Sequence, residues 1–289
     1  MNTPFLHRDA DAPKRRERLR KGMYLLPSLF TTANIAAGYY AISQTLQGTP
    51  ADAWHFDHAA KAIGFAVLFD GLDGRIARMT NTTSAFGKEL DSLADVITFG
   101  VAPAVLAWMW GFRMLPPLPA ADLRARLVQI GAIATFLFLI AGASRLARFN
   151  IQLNPQPSNP GRPGRKYFVG MPIPAGAGVV AASVHLWRGE PLEAWWWSAL
   201  WTAFVVALAF LMVSTWRFYS FKDINLRRRH PFSAIVAIAA LIAAIWYFSE
   251  YVLFLIALSY MLSGVIARLA YVLRRHGSPP PPAYKEALP

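Results

Sequence analysis

Long apolar stretches recur along this chain and restrict the folds that it can adopt. Eight of them are each about as long as a membrane-spanning helix, which needs roughly 20 residues to cross the hydrocarbon core. Hydrophobic residues make up 55% of the 289 residues, too large a share for an ordinary soluble domain. The sequence therefore predicts an all-α fold, a polytopic integral membrane helix bundle with about eight transmembrane helices. The predicted spans cover approximately residues 25–46, 59–79, 87–110, 125–149, 172–188, 194–215, 231–249 and 251–273.

The positions of the basic residues predict which ends of these spans face the cytoplasm. Cytoplasmic loops of membrane proteins carry an excess of lysine and arginine. With eight spans both termini lie on one side, and all but five of the 29 lysine and arginine residues fall on that side. We therefore expect both termini to be cytoplasmic, and we attribute the net charge of +13 to anionic lipid rather than nucleic acid. The five exceptions are Lys61, Arg113, Arg124, Arg126 and Arg188.

Composition divides the chain into three parts. Residues 1–22 are polar and rich in lysine and arginine, which predicts a basic cytoplasmic segment. Residues 23–275 hold the apolar stretches and form the predicted transmembrane domain. Residues 276–289 include four consecutive prolines, which predicts a disordered tail. The chain has no cysteine, so disulfides and cysteine-ligated metal sites are excluded.

Four aspartates stand where the second and third predicted spans meet, at a depth where charge is costly. Asp70 and Asp73 are three residues apart and share a face of one helix, while Asp91 and Asp95 are four apart on the next. The short polar link makes these helices antiparallel neighbours, so the four carboxylates converge on one gap. Since no cysteine or histidine lies nearby, oxygen-only ligation indicates Mg²⁺, Mn²⁺ or Ca²⁺ rather than Zn²⁺.

Small residues accompany these aspartates. Gly74, Ala77 and Gly87 permit either close helix packing or the binding of a flat or bulky ligand beside the cations. Arg78 lies about one turn beyond Gly74, where its guanidinium can reach a phosphate or extend to the membrane surface. The residue types alone leave both alternatives open.

The spacing of these residues is more specific than any of them alone. It resembles, at every defined position, the signature of the CDP-alcohol phosphatidyltransferases. The resemblance implies an integral membrane enzyme that moves a phosphatidyl or similar group from a CDP-linked donor to an alcohol and releases CMP. The spacing is Asp70-x2-Asp73-Gly74-x2-Ala77-Arg78-x8-Gly87-x3-Asp91-x3-Asp95.

The same resemblance implies roles for the residues of the motif. It implies two divalent cations, Mg²⁺ or Mn²⁺, and a homodimer. Asp95 is also implied as the base that accepts the proton of the alcohol. The cations would be held by Asp70, Asp73, Asp91 and Asp95, and the CDP donor would be bound by Gly74, Ala77, Arg78 and Gly87.

Further segments resemble one branch of this family, the phosphatidylserine synthases. This branch implies transfer of the phosphatidyl group from CDP-diacylglycerol to the hydroxyl of L-serine, giving phosphatidylserine and CMP. Arg145 and Arg148, at the inner end of the fourth span, are candidates to bind the carboxylate of serine or a lipid phosphate. The segments are LLPSLFTTANIAAGYYAI at 25–42, SRLARFN from Ser144, the later YFVGMPIPAGAG, and MVSTWRFYSFKD at 212–223.

Two alternatives remain open. A sibling enzyme would use glycerol phosphate, inositol or inositol phosphate as the acceptor, and the basic loop at 162–166 is compatible with a phosphorylated one. A cation transporter would place acids along a pathway across the bilayer, whereas these acids cluster at one end. The expected partners are CDP-diacylglycerol, L-serine and membrane lipids. The expected site faces the cytoplasm at the cell membrane, the inner membrane in a bacterium.

Overall fold

The structure is a computed structural model that describes most of the chain. The backbone is described for residues 12–80, 85–118, 121–151, 167–220 and 231–274. Side chains are described for residues 29–71, 86–118, 122–151, 167–220 and 235–273. The predicted proline-rich tail at 276–289 lies outside the described residues.

Eight α-helices account for most of the described backbone. Apolar segments form helices because a helix pairs its own N–H and C=O groups, which lipid cannot do for them. Two π-helical turns, Val96–Val101 and Met109–Arg113, continue the third and fourth helices, so helical backbone runs unbroken from Ala85 to Arg113. The helices are α1 (Ala12–Gln47), α2 (Trp54–Thr80), α3 (Ala85–Asp95), α4 (Ala102–Trp108), α5 (Ala121–Asn150), α6 (Ile173–Leu186), α7 (Trp195–Val213) and α8 (Pro231–Arg274).

Part of the predicted membrane topology is confirmed. The protein is mostly helical and has four helical stretches that are long and apolar enough to cross a membrane. The predicted spans at 25–46, 59–79 and 172–188 coincide with α1, α2 and α6, which do not meet that criterion over their described residues. The count of eight spans therefore stays a prediction. The four stretches are Phe86–Arg113, Asp122–Asn150, Trp195–Val213 and Ile235–Leu273.

A small antiparallel sheet, which the all-α prediction omitted, interrupts the helices. Its strands are β1 (Tyr167–Val169) and β2 (Arg217–Tyr219), in the register that places Phe168 opposite Phe218. Aromatic residues favour extended backbone, which accounts for strands in these two connections. After β1 the chain turns at Gly170, whose φ is +75° and whose α-carbon faces a backbone carbonyl of α7. Glycine is favoured there because any other residue would strain at this positive φ and its β-carbon would clash with that carbonyl.

The last two predicted spans form one element with a kink. Phe248, with φ −137° and ψ 41°, departs from helical geometry within α8, two residues before Glu250, which separates the predicted spans 231–249 and 251–273. Beyond the kink, Ser249 contacts His185 at the end of α6, and Tyr260 donates a hydrogen bond to a carbonyl of β2. The second half of α8 therefore runs from the end of α6 to the sheet.

Close helix contacts surround the region of the aspartates. A β-carbon on Gly38 of α1 would stand 2.6 Å from the Thr98 hydroxyl, and one on Gly142 of α5 would stand 2.7 Å from Ile173. In lipid, such close approaches stabilise helix pairs through van der Waals contact. These contacts fix α1 against the continuous helix from Ala85 to Arg113, and α5 against α6. Large side chains fill the surrounding core, among them Phe56, Phe99, Trp110, Phe112 and Phe138.

A hydrogen-bonded chain ties three helices together at the start of α2. The Asp57 carboxylate accepts bonds from His185 Nδ1 of α6 at 2.5 Å and from Lys61 Nζ at 2.7 Å. His185 Nε2 lies 2.9 Å from the hydroxyl of Ser249 in α8. Asp57 precedes Asp70 by about 20 Å of helix, so this tie stabilises the bundle far from the predicted metal site.

Candidate active site

Three of the four predicted aspartates converge in the structure. Asp70 of α2 meets Asp91 and Asp95 of α3, with ligand oxygens of the three carboxylates all within 4.8 Å of one another. Asp70 and Asp95 lie at similar distances from the short link between the two helices, as expected for antiparallel neighbours. All three side chains are half-buried. A group of carboxylate oxygens at this spacing suits a hard divalent cation.

The other residues of the motif lie beside this cluster on the same two helices. Gly87 is half-buried in the first turn of α3. Asp73 stands one turn after Asp70 in the backbone of α2, so the two share a helix face. The side chains of Asp73, Gly74, Ala77 and Arg78 lie outside the described residues.

The helix changes its winding directly after Asp95. The π-helical turn Val96–Val101 begins at the next residue, and its Thr98 hydroxyl donates a 2.9 Å hydrogen bond to the carbonyl of Asn34 in α1. Single π-helical turns inside α-helices are rare and are often found at functional sites. The turn fixes the end of α3 against α1 and so positions the Asp95 carboxylate.

The two predicted arginines occupy different surroundings. Arg145 is only 8% exposed, and its guanidinium lies 5.8 Å from the ring of Phe149 and 5.9 Å from that of Phe168. Its charge interacts with that of Asp95, so the guanidinium lies within electrostatic range of the cluster. Arg148 is more exposed, and its Nη2 donates to the carbonyl of Val213 at 3.4 Å. Only Arg145 is therefore buried near the aspartates.

A hydrogen bond joins the end of α5 to the middle of α3. Asn150 Nδ2 donates to the hydroxyl of Ser92 at 2.8 Å, one residue beyond Asp91. The Ser92 hydroxyl in turn donates to the carbonyl of Lys88 at 2.9 Å. This connection holds the helix that carries Arg145 next to the helix that carries two of the aspartates.

Three polar residues that the sequence motifs do not mark are buried or half-buried in the structure. Asn34 Oδ1 and Ser220 Oγ are buried without a hydrogen-bond partner among the described residues. Tyr260 interacts electrostatically with Arg145. A sequence signal existed for Asn34 and Ser220, which lie in the quoted segments 25–42 and 212–223, whereas Tyr260 is one polar residue within an apolar span.

The chain is similar to one protein family and to several named proteins. Residues 24–196 match the model of a family described as CDP-alcohol phosphatidyltransferase. A Helicobacter pylori protein named CDP-diacylglycerol–serine O-phosphatidyltransferase is 39% identical over 210 residues, covering 70% of this chain and 75% of the relative. A Mycobacterium leprae protein of the same name is 32% identical over 255 residues, covering 85% and 75%. An archaetidylserine synthase of Methanothermobacter thermautotrophicus is 34% identical over 193 residues, covering 66% and 67%.

Proposed function

The chain belongs to the CDP-alcohol phosphatidyltransferase family, and we propose that it transfers the phosphatidyl group of CDP-diacylglycerol to the hydroxyl of L-serine. The products are phosphatidylserine and CMP. The observation that carries this proposal is the convergence of Asp70, Asp91 and Asp95 inside the matched region. The names of the relatives support CDP-diacylglycerol and serine as the substrates.

The aspartate cluster fits the divalent cations that the family requires. Its donors are carboxylate oxygens from two helices within 4.8 Å of one another, the chemistry that Mg²⁺ and Mn²⁺ prefer. We assign two such ions to Asp70, Asp91 and Asp95, with Asp73 as the fourth ligand by the motif. Bound cations would neutralise the pyrophosphate and stabilise the departing CMP.

Asp95 is the proposed general base. The hydroxyl of serine must lose its proton as it attacks phosphorus, and a half-buried carboxylate at the edge of the cluster can accept it. Asp95 suits this role because its charge also interacts with that of Arg145 on α5. The carboxylate of Asp95 can then serve the acceptor as well as the cations, which Asp70, Asp73 and Asp91 also hold.

The donor is assigned to the helices that carry the motif. Gly74 and Ala77 leave room beside the aspartates, Gly87 does so at the start of α3, and Arg78 supplies a positive charge for a phosphate. The support for these roles is the match of the motif to the family. The acceptor is assigned to the side of Arg145 and Arg148.

The proposed setting is the cell membrane, with the active site and both termini facing the cytoplasm. The distribution of lysine and arginine supports eight spans within residues 23–275, after the basic segment 1–22. A water-soluble amino acid and a lipid donor can meet at that interface. We also propose that the protein is a homodimer, as the family resemblance implies.

An acceptor panel tests the proposed function. Purified protein in detergent with CDP-diacylglycerol and Mg²⁺ or Mn²⁺ is offered serine, glycerol phosphate, inositol or inositol phosphate, and CMP release is measured. We expect release with serine well above the rate without an acceptor. Release with glycerol phosphate or an inositol but not with serine would assign another acceptor to the same chemistry.

A further inference from the structure

We propose that Arg145, Ser220 and Tyr260 form the pocket that recognises the carboxylate of the acceptor amino acid. The inference rests on the proposed function, and it assigns acceptor choice to residues beyond the motif. Arg145 and Ser220 bind the carboxylate, and Tyr260 is a positioning residue that holds Ser220 in place.

Arg145 is a buried cation whose immediate contacts are aromatic rings. It is the one arginine or lysine that is buried among the residues with described side chains, and no ion pair involves it there. Its Nε has no hydrogen-bond partner within the described part of the chain. A buried charge is costly unless it is paired, so this guanidinium is suited to receive an anion from a ligand.

Ser220 supplies a second buried polar group, in the segment that leaves the sheet. Its side chain is 2% exposed, and the described residues offer its hydroxyl no partner. It follows Tyr219 at the end of β2, whose carbonyl accepts a 3.3 Å hydrogen bond from the hydroxyl of Tyr260. Buried hydroxyls are normally hydrogen-bonded, so one without a described partner is suited to donate to the carboxylate of a ligand.

Independent contacts bring Arg145, Tyr260 and the strand that precedes Ser220 together. Tyr260 interacts electrostatically with Arg145, and Phe168 of β1, which covers Arg145, pairs with Phe218 of β2. The ring of Phe218 is completely buried against α8, where it faces Gly264 and Tyr260. The sheet therefore forms one wall of the pocket, and α8 holds that wall in place.

The position of the pocket indicates that it binds the acceptor rather than the donor. The motif residues assigned to the donor lie on α2 and at the start of α3, whereas Arg145 lies on α5 and its charge interacts with Asp95 at the end of α3. In serine a short carbon chain separates the carboxylate from the hydroxyl, so a carboxylate held by Arg145 leaves the hydroxyl near the proposed base. One buried guanidinium also suits a single carboxylate better than the higher charge of a phosphate.

The pocket explains how acceptor choice can be separate from the chemistry of transfer. The family match ends at residue 196, whereas Ser220 and Tyr260 lie beyond it, in the sheet and α8. The aspartates and the motif lie within the match. Changes in Ser220 or Tyr260 should therefore alter the use of serine and leave the use of CDP-diacylglycerol unaltered.

Steady-state kinetics of single variants test this inference. Ser220→Ala and Tyr260→Phe each remove one oxygen atom, and Arg145→Gln removes the charge. The matched controls on α8 are Ser259→Ala, whose hydroxyl donates to the carbonyl of Ile256, and Tyr251→Phe at an exposed position. CMP release is measured against serine and against CDP-diacylglycerol, and serine is compared with serine methyl ester.

We expect KM for serine to rise about tenfold in Ser220→Ala and about a hundredfold in Arg145→Gln, as for hydrogen bonds to charged groups. Tyr260→Phe should raise it by a smaller factor, of about threefold, with KM for CDP-diacylglycerol unchanged in all three. The preference for serine over its methyl ester should disappear in Arg145→Gln. The two control variants should match the wild type.

The outcomes separate this inference from the proposed function. One outcome is that the wild type uses serine while Ser220→Ala and Tyr260→Phe show the same KM for serine as the wild type. In that case the inference is wrong and the proposed function stands. The inference is also wrong if the variants raise KM for CDP-diacylglycerol instead, which would assign Arg145 to the donor phosphate. If the wild type does not use serine, the proposed function fails. The two single-oxygen variants decide the matter even where Arg145→Gln does not fold.

Discussion

The residues of the cluster differ in what surrounds them. Asp70 and Asp91 sit within regular helix, whereas Asp95 ends α3 where the π-helical turn begins. Asp95 is also the aspartate whose charge interacts with Arg145. These differences separate a ligand role for Asp70 and Asp91 from the additional role in proton transfer that we propose for Asp95.

Removing one carboxylate should weaken cation binding. In Asp91→Asn we expect the affinity for Mn²⁺ to fall at least about tenfold, because a neutral amide replaces a charged hard-oxygen ligand. Titration calorimetry with Mn²⁺ measures this in the absence of substrate, and chelation should abolish the activity of the wild type. Asp122→Asn, an exposed aspartate at the start of α5, is the control. An unchanged affinity for Mn²⁺ in Asp91→Asn would show that Asp91 is not a metal ligand.

At the scale of elements, the contact between the sheet and α8 holds the proposed acceptor pocket. A β-carbon on Gly264 would clash with the buried ring of Phe218. Gly264→Ala should therefore destabilise the protein by about 1–3 kcal/mol, as overpacking does, and should raise KM for serine more than KM for CDP-diacylglycerol. Melting curves and kinetics measure the two effects.

The control for this change is Gly64→Ala in α2, where a β-carbon meets nothing within 4 Å. Alanine there should leave the kinetics unchanged and raise stability by up to about 1 kcal/mol through helix propensity. Equal serine kinetics in Gly264→Ala and the wild type would show that the sheet does not shape the pocket.

The tie between α2, α6 and α8 should matter for stability rather than for chemistry. Burial raises the pKa of Asp57, but hydrogen bonds from His185 and Lys61 outweigh it and hold this pKa below its ordinary value of 3.8. Such a carboxylate stabilises the fold at pH values above its pKa in the unfolded state. The stabilisation is lost as the pH falls through its lower pKa in the folded state. The contribution of Asp57 is thus complete near neutral pH.

Asp57→Asn should lower the free energy of unfolding by about 1–3 kcal/mol near neutral pH. The difference in melting temperature from the wild type should shrink as the pH falls below 3.8. Asp52→Asn, in the exposed loop before α2, is the control and should melt like the wild type. A difference that stays constant down to acid pH would show that the charge of Asp57 does not stabilise the tie.

The elements differ in how far the sequence predicts them. Apolar runs indicated the helices, and spacings of three and four residues indicated which aspartates share a face. The strands were missed because segments of three residues carry too little pattern. Arg145 and Arg148 look alike in the sequence, and the burial of Arg145 depends on Phe168, which arrives from a distant strand. The π-helical turn after Asp95 had no sequence signal that we recognised.

At the scale of the whole molecule, the proposed topology places both termini in the cytoplasm. The chain has no cysteine, so single cysteines can be introduced cleanly. Glu190→Cys, between α6 and α7, and Asp52→Cys, between α1 and α2, should react with an impermeant maleimide in intact cells. Ser278→Cys should react only after lysis. Labelling of Ser278→Cys from outside would contradict the orientation.

The central claim is that the aspartate cluster transfers the phosphatidyl group to serine, with Asp95 as base. Purified wild type and Asp95→Asn are incubated with CDP-diacylglycerol, Mg²⁺ or Mn²⁺, and labelled serine, and label in the lipid fraction is measured together with CMP. The wild type should form labelled lipid and CMP in equal amounts. Asp95→Asn should lose about 10²–10⁴-fold in turnover while still binding CDP-diacylglycerol. Transfer by Asp95→Asn at the wild-type rate, or CMP release by the wild type without labelled lipid, would contradict the account.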